Sequence, residues 1–180
     1  EKRTEEASFG EGLKKLILAD AAVPGIERIR LGSLEPRIIT EDFVSALASC
    51  GKDCPHFHLS LQSGCDSVLK RMNRHYTAQE YLNKCVLLRA EFEQPAITTD
   101  VITGFPGETE EEFAATREFV KKVNFYEMHV FPYSRRKGTR ADGMPDQVPE
   151  AVKKERSREL INLAARMSEE YRQSFVGREV

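Results

Sequence analysis

Four times along the chain a short apolar, β-branched segment is followed by a helix-forming stretch. This alternation narrows the choice of fold more than any other feature. Parallel strands need a crossover of a dozen or more residues between them, whereas antiparallel strands need only a turn. Strand-like segments spaced by helices therefore predict parallel pairing with right-handed crossovers. The strand-like segments are residues 26–31, 56–61, Ala96–Thr103 and 127–131. A leading helix over 11–22 carries Leu13, Leu16 and Ile17 and is stopped by Pro24-Gly25. Thr40 is a good N-cap, with Glu41 and Asp42 at the positive end of a helix that presents Phe43, Val44 and Leu47 and ends at Gly51. Thr77 with Glu80, and Thr109 with Glu112, have capping-box spacing and open two more helices, the first running to about residue 93. A last helix starts near Pro149 and carries Val152, Leu160, Leu163, Met167, Tyr171 and Phe175 in steps that make one stripe.

Four βα units are too few to close a barrel. They fit a small open sheet or part of a larger α/β barrel. In both, ligands bind at the carboxyl ends of the strands. That rule selects residues 32–36, Gln62-Ser63-Gly64, 100–108 and 131–134. Glu35, Gln62 and Asp100 then place three polar groups on three successive strand ends, suited to a ligand with amine and hydroxyl groups. Arg74, beyond Gln62, has the chemistry of a carboxylate partner. Gly104-Phe105-Pro106-Gly107-Glu108-Thr109 joins a strand to a capped helix; its glycines allow close approach of a ligand, and an ordinary βα loop is the alternative.

Bulk composition limits the partners. Lys plus Arg is 27 and Asp plus Glu is 29, a net charge of −2, which excludes a domain that holds nucleic acid by overall charge. Arg135, Arg136, Lys137 and Arg140 gather just past the last strand. They are read as a phosphate contact, with a solvated loop as the alternative. No apolar run approaches the ~18 residues of a membrane span. The polar opening EKRTEEASFG has no signal-peptide pattern, so a cytoplasmic protein with reduced thiols at Cys50, Cys54, Cys65 and Cys85 is expected. His56 and His58 share one face of a strand, a spacing that binds zinc in some barrel hydrolases. With His129 they define a rival reading as a zinc hydrolase. A non-catalytic nucleotide- or RNA-binding module is a third. Pro55 puts the pair at the start of its strand, so no metal site is assigned. Leu69 and Met72 are read as packing residues.

Four stretches together resemble the methylthiotransferase branch of the radical S-adenosylmethionine (SAM) enzymes: RIRLGSLEP (28–36), HLSLQSGCDSVLKRMNRHYT (58–77), TTDVITGFPGETEEEF (98–113) and HVFPYSRRKGT (129–139). With the Arg- and Glu-rich last helix, the resemblance covers residues 24–180. It implies a partial (β/α) barrel of about four parallel βα units ending in a long C-terminal helix. It divides the chain into a leading helix at 1–23, βα units over 24–148, the C-terminal helix over 149–176, and the start of a small RNA-binding β-domain at 177–180. It implies SAM and 4Fe-4S clusters as cofactors, tRNA as partner, and an electron donor and a sulfur source. Three substrates occur in that branch: isopentenyladenosine in tRNA, threonylcarbamoyladenosine in tRNA, and an aspartate of a ribosomal protein. Leu34-Glu35-Pro36 and Phe131-Pro132-Tyr133-Ser134 look most like the threonylcarbamoyladenosine enzymes.

Carried over residue by residue, the resemblance gives Glu35 to the methionine amine or ribose. Gln62 goes to the ribose, Arg74 to the carboxylate, and Asp100 to the same cofactor. The adenine lies against Phe131, Tyr133 and Ser134. The sequence departs from the branch at the cluster motif, C-x3-C-x2-C. Cys50 and Cys54 have the first spacing, but the third position is Phe57. The cluster ligands are therefore expected outside this chain, which reads as a fragment of a longer enzyme and, alone, as inactive.

Overall fold

A computed structural model describes residues 2–178. Its elements are α1 (Lys2–Ala22), β1 (Ser33–Leu34), α2 (Glu41–Cys50), β2 (His56–Leu59), α3 (Asp66–Arg71), α4 (Ala78–Glu91), β3 (Ala96–Thr103), α5 (Glu110–Val123), β4 (Glu127–Pro132) and α6 (Glu150–Gln173). Single 3-10 turns occupy Pro36–Ile38 and Arg140–Gly143. The strand order is β1-β2-β3-β4, and the pairs β1–β2 and β3–β4 are parallel, as the strand–helix alternation requires. No described helix is long and apolar enough to cross a membrane. Glu179 and Val180, half of the expected start of a β-domain at 177–180, lie outside the described residues, as does Glu1.

The chain forms two compact units, one of Glu1–Ser60 with Gln79–Ile97, the other of Leu61–Ala78 with Thr98–Val180. In the first, Ile17, Phe43, Val44, Leu47, Phe57, Leu59, Tyr81 and Leu88 are buried. Helix α2 starts and stops as expected: the Thr40 side chain accepts from the Phe43 amide at 3.2 Å, and Gly51 takes a left-handed φ of 68°. The strand expected over 26–31 does not form. Ile29 alone makes a bridge there, to Asp53, and the ladder with β2 begins at Ser33↔His58. Glu27, Arg28 and Arg30 are exposed, so this stretch buries too little apolar surface to hold a full strand.

In the second unit β3 and β4 pair over Thr98↔Glu127 to Thr103↔Pro132. The second strand was expected to reach residue 61, but it stops at Leu59, because Gln62 turns into the left-handed region (φ 70°) and makes an isolated bridge to Val101. Helix α5 has the expected capping box: the Thr109 hydroxyl accepts from the Glu112 amide at 3.2 Å, and the Glu112 carboxylate accepts from the Thr109 amide at 3.0 Å. Helix α6 packs on β4 and α5. Leu160, Leu163 and Met167 are buried as the stripe predicts, but its first turns bury Lys153, Arg156 and Ser157 while Val152 is only half-buried.

Candidate functional site

In the first unit Glu35 follows the carboxyl end of β1. Its two carboxylate oxygens take the Arg37 guanidinium at 2.8 and 3.0 Å, and it is exposed. At the other end of β2, the Arg30 guanidinium stands 3.1 Å from His56 Nε2.

In the second unit the register of β3 and β4 sorts side chains by face. Thr99, Val101 and Thr103 are buried on one side, where Thr103 Oγ1 lies 2.7 Å from Ser157 Oγ of α6. Asp100 and Ile102 point to the other side, opposite His129 and Phe131 respectively. This face is open: Asp100 and Ile102 are half-buried, His129 is exposed, and Phe131 is 52% exposed. An aromatic ring left in solvent beside a carboxylate is what a planar, hydroxyl-bearing ligand would use.

Gln62 lies alongside β3. Its amide donates to the Asp100 carbonyl at 2.8 Å, and its carbonyl accepts from the Ile102 amide at 2.9 Å. Its side chain is 8% exposed. A non-glycine residue held at positive φ costs roughly 1–2 kcal/mol. The turn after it is clasped to α5. Ser63 Oγ lies 3.0 Å from Thr116 Oγ1, which also accepts from the Gly64 amide at 3.2 Å. A Cβ on Gly64 would stand 2.6 Å from Phe119 Cβ, so this glycine admits a helix side chain. Arg74 is exposed on the loop that follows α3.

The Gly104–Thr109 segment is held from three sides. Glu108 is buried and accepts from the Gly104 amide at 2.7 Å and from Arg156 Nη1 at 2.8 Å. Burial raises the Glu108 carboxyl above the usual carboxylate range, while the Gly104 amide and Arg156 pull it back. Arg71 donates to the Gly107 carbonyl at 3.2 Å and grips Glu112 at 2.9 and 2.5 Å; Ser67 also donates to Glu112. These donors, Arg71 first, hold Glu112 down at about 2. At Gly104 (φ 68°) a Cβ would meet Lys153 Cγ at 2.4 Å. The Lys153 stem crosses this glycine and its ammonium donates to the Tyr133 carbonyl at 3.0 Å and to Glu150 at 2.7 Å. The segment is thus a buried joint between α3, α5 and α6, the ordinary-loop alternative with more partners than usual.

Tyr133 is part of the same joint. Its ring lies edge-on to Phe105 at 5.3 Å, and Lys153 sits 5.3 Å above it. The Tyr133 hydroxyl is buried without a hydrogen-bond partner. The exposed aromatic at the end of β4 is Phe131, and Ser134 beyond it is also exposed. Arg135 folds back on Asp142, while Arg136, Lys137 and Arg140 are exposed. The buried Lys153 and Arg156 were missed at the sequence level, because a search for an apolar stripe passes over charges at the same helical spacing.

The thiols do not fit an iron–sulfur cluster. Among the described residues no three cysteines gather at one site. In the first unit Cys85 is fully buried, which pushes its thiol up to about 12, and desolvation also raises Cys50. On the open face of β3–β4 the Asp100 carboxylate and the exposed Phe131 ring are groups of the kind that bind a nucleoside, whereas Gln62 is buried and bridges Val101 of the other face.

Comparison with known proteins places the chain. The model of the radical SAM superfamily matches residues 5–120. A tRNA-2-methylthio-N(6)-dimethylallyladenosine synthase of Acetivibrio thermocellus is 43% identical over 171 residues, covering 95% of this chain and 36% of that protein. The threonylcarbamoyladenosine tRNA methylthiotransferase MtaB of Bacillus subtilis is 43% identical over 173 residues, 93% of this chain and 38% of that protein. The chain therefore spans a little over a third of the length of these relatives. Among solved structures, coproporphyrinogen III oxidase (HemN) of Escherichia coli, a radical SAM enzyme, has a TM-score of 0.66 at 22% identity, over 90% of this chain and 37% of that one. The radical SAM methyltransferase TsrM of Kitasatospora setae, solved with cobalamin and a [4Fe-4S] cluster bound, has a TM-score of 0.56 at 19% identity, over 69% of this chain and 25% of that one. The likeness to both structures is one of fold, a partial (β/α) barrel. The matched family model, the similar relatives and the strand order agree: the chain belongs to the radical SAM superfamily.

Proposed function

We propose that this chain is the later part of the radical SAM domain of a cytoplasmic enzyme that adds a methylthio group to a modified adenosine next to the anticodon of tRNA. The adenosine is threonylcarbamoyladenosine, a reading supported by Leu34-Glu35-Pro36 and Phe131-Pro132-Tyr133-Ser134. Dimethylallyladenosine is the second reading, because relatives carrying that name match at the same identity. When bound, SAM with its cluster supplies a deoxyadenosyl radical that takes hydrogen from the substrate. The residues of this chain bind and orient. Asp100 and Gln62 take the ribose hydroxyls, Glu35 the amine, Arg74 the carboxylate, and Phe131 with Ser134 flanks the adenine. Tyr133 supports that wall from behind through its contacts with Phe105 and Lys153. Arg136, Lys137 and Arg140 hold tRNA phosphates, in a loop that also contains Arg135. An electron donor and a sulfur source complete the reaction.

The observation that supports the reading is the open face of β3–β4, which carries Asp100 and the exposed Phe131. Its test is Asp100→Ala in the full-length, cluster-reconstituted protein. Deoxyadenosine formation from SAM falls at least tenfold while tRNA binding holds. Unchanged deoxyadenosine formation removes Asp100, and with it this face, from the cofactor site.

A further inference from the structure

Resting on the reading of a tRNA enzyme, we infer that Arg135 is the positioning residue of the loop that carries the phosphate contacts, acting as a latch through Asp142. The four cations of 135–140 differ in what they touch. Arg135 Nε donates to Asp142 Oδ1 at 3.0 Å and its Nη2 donates to the Asp142 carbonyl at 2.8 Å. This two-point contact closes the loop across seven residues. Inside it, Thr139 Oγ1 donates to the Arg136 carbonyl at 2.8 Å and accepts from the Asp142 amide at 3.3 Å, and Gly138 turns the chain at φ 86°. Gln147 Nε2 ties the far side to the carbonyls of Ala141 and Met144 at 3.1 and 3.0 Å. The loop is thus bonded to itself; Arg136, Lys137 and Arg140 are exposed, and Arg135, although also exposed to 57%, is held to Asp142.

The root of the loop is fixed as well. The Tyr133 amide donates to the Thr103 carbonyl at 2.8 Å and its own carbonyl takes the buried Lys153 ammonium. The loop therefore leaves the end of β4, two residues past the exposed Phe131, in a set direction. Phosphates recur at fixed intervals along a strand, so contacts held in register bind better than the same charges on a mobile loop. In a chain of net charge −2, a guanidinium spent on an internal carboxylate lowers the positive charge offered to RNA. Pre-organisation of the other three is what it returns.

Charge and latch predict opposite signs for one substitution, measured on the full-length protein with an anticodon stem-loop RNA by fluorescence anisotropy across a salt series. Asp142→Ala removes a negative charge beside the contacts and with it the carboxylate half of the latch, leaving Arg135 only the backbone carbonyl; the latch predicts binding about five- to tenfold weaker, from the ordering of one or two loosened residues. Asp142→Asn keeps an oxygen acceptor for Arg135 and loses the charge, so binding holds or tightens. Arg136→Ala with Lys137→Ala and Arg140→Ala lowers the salt slope by roughly two to three, one per phosphate contact. A readout without RNA is tryptic cleavage within 135–140, which accelerates several-fold in Asp142→Ala and not in Asp142→Asn. Tighter binding by both Asp142 variants, equal weakening by both, or an unchanged tryptic rate in Asp142→Ala overturns the latch. If the tryptic rate rises as expected but the triple variant binds RNA like the parent, the loop is latched for another purpose. The RNA reading of this surface then fails and the inference with it.

Discussion

Replacing Arg156 with Met removes one partner of the most deeply buried ion pair in the second unit. The side chains of Arg156 and Glu108 are 7% and 1% exposed, and their closest atoms are 2.8 Å apart. Arg156 also donates to the Glu108 carbonyl at 3.1 Å and to Glu110 at 3.1 Å, and it lies over the Phe113 ring. Without it, the Glu108 carboxylate keeps the Gly104 amide as donor but loses its counter-ion. Breaking a buried pair from one side costs about 3–5 kcal/mol, whereas replacing both partners with uncharged groups is often close to neutral. The sign of the pH dependence follows. The folded-state pKa of Glu108 is already raised by burial, and the variant raises it further. Its contribution to stability is then present below the unfolded value near 4.5 and is lost as pH rises through the raised value. The defect should grow from pH 5 to pH 8. Hydrogen exchange at the Gly104 amide reads it locally: at about 1.4 kcal/mol per decade, protection falls by roughly two to three orders of magnitude at pH 7. Glu108→Gln combined with Arg156→Met should recover at least one decade. Protection equal to the parent's in Arg156→Met, or a double variant no better than the single one, refutes the reasoning.

Gly104→Ala should destabilise the second unit by about 2–4 kcal/mol, from a strained positive φ plus a Cβ 2.4 Å from Lys153 Cγ. Adding Lys153→Ala should relieve only the steric part, visible as a positive coupling in urea unfolding. Arg71→Ala should cost roughly 1–3 kcal/mol at pH 7, because Arg71 is the main cause of the low Glu112 pKa. A depressed carboxylate contributes stability above its unfolded value near 4.5 and loses it as pH falls toward about 2, so the penalty should vanish at the acid end of a pH–stability curve.

What could be read in the sequence was local. The Thr40 cap and the Thr109–Glu112 box are short-range signals that survive folding unchanged. Strand β3 was legible because Ala96–Thr103 is β-branched and nearly continuous in burial, as a parallel strand must be. The expectation of Asp100 and Gln62 at strand ends was only approximate: Asp100 lies inside β3, paired with His129, and Gln62 lies three residues past the end of β2. Three things were not legible. The first strand formed at Ser33–Leu34 rather than over 26–31, since pairing is decided by a partner distant in sequence. Helix α3 has only six residues, too few for a periodic stripe, and shows buried Val68 and Leu69 alone. The inward turn of Tyr133 depends on Lys153, twenty residues away on another element, and nothing near either residue announces the contact.

The proposed activity is tested most directly by the nucleosides of tRNA from cells lacking the gene for the full-length protein, separated by liquid chromatography and identified by mass. The account predicts loss of the 2-methylthio derivative of threonylcarbamoyladenosine, accumulation of its unthiolated precursor, and restoration by the parent but not by Asp100→Ala. Loss of the methylthio group from dimethylallyladenosine instead would move the substrate to the second reading. Unchanged levels of both methylthio nucleosides would contradict the assignment to tRNA.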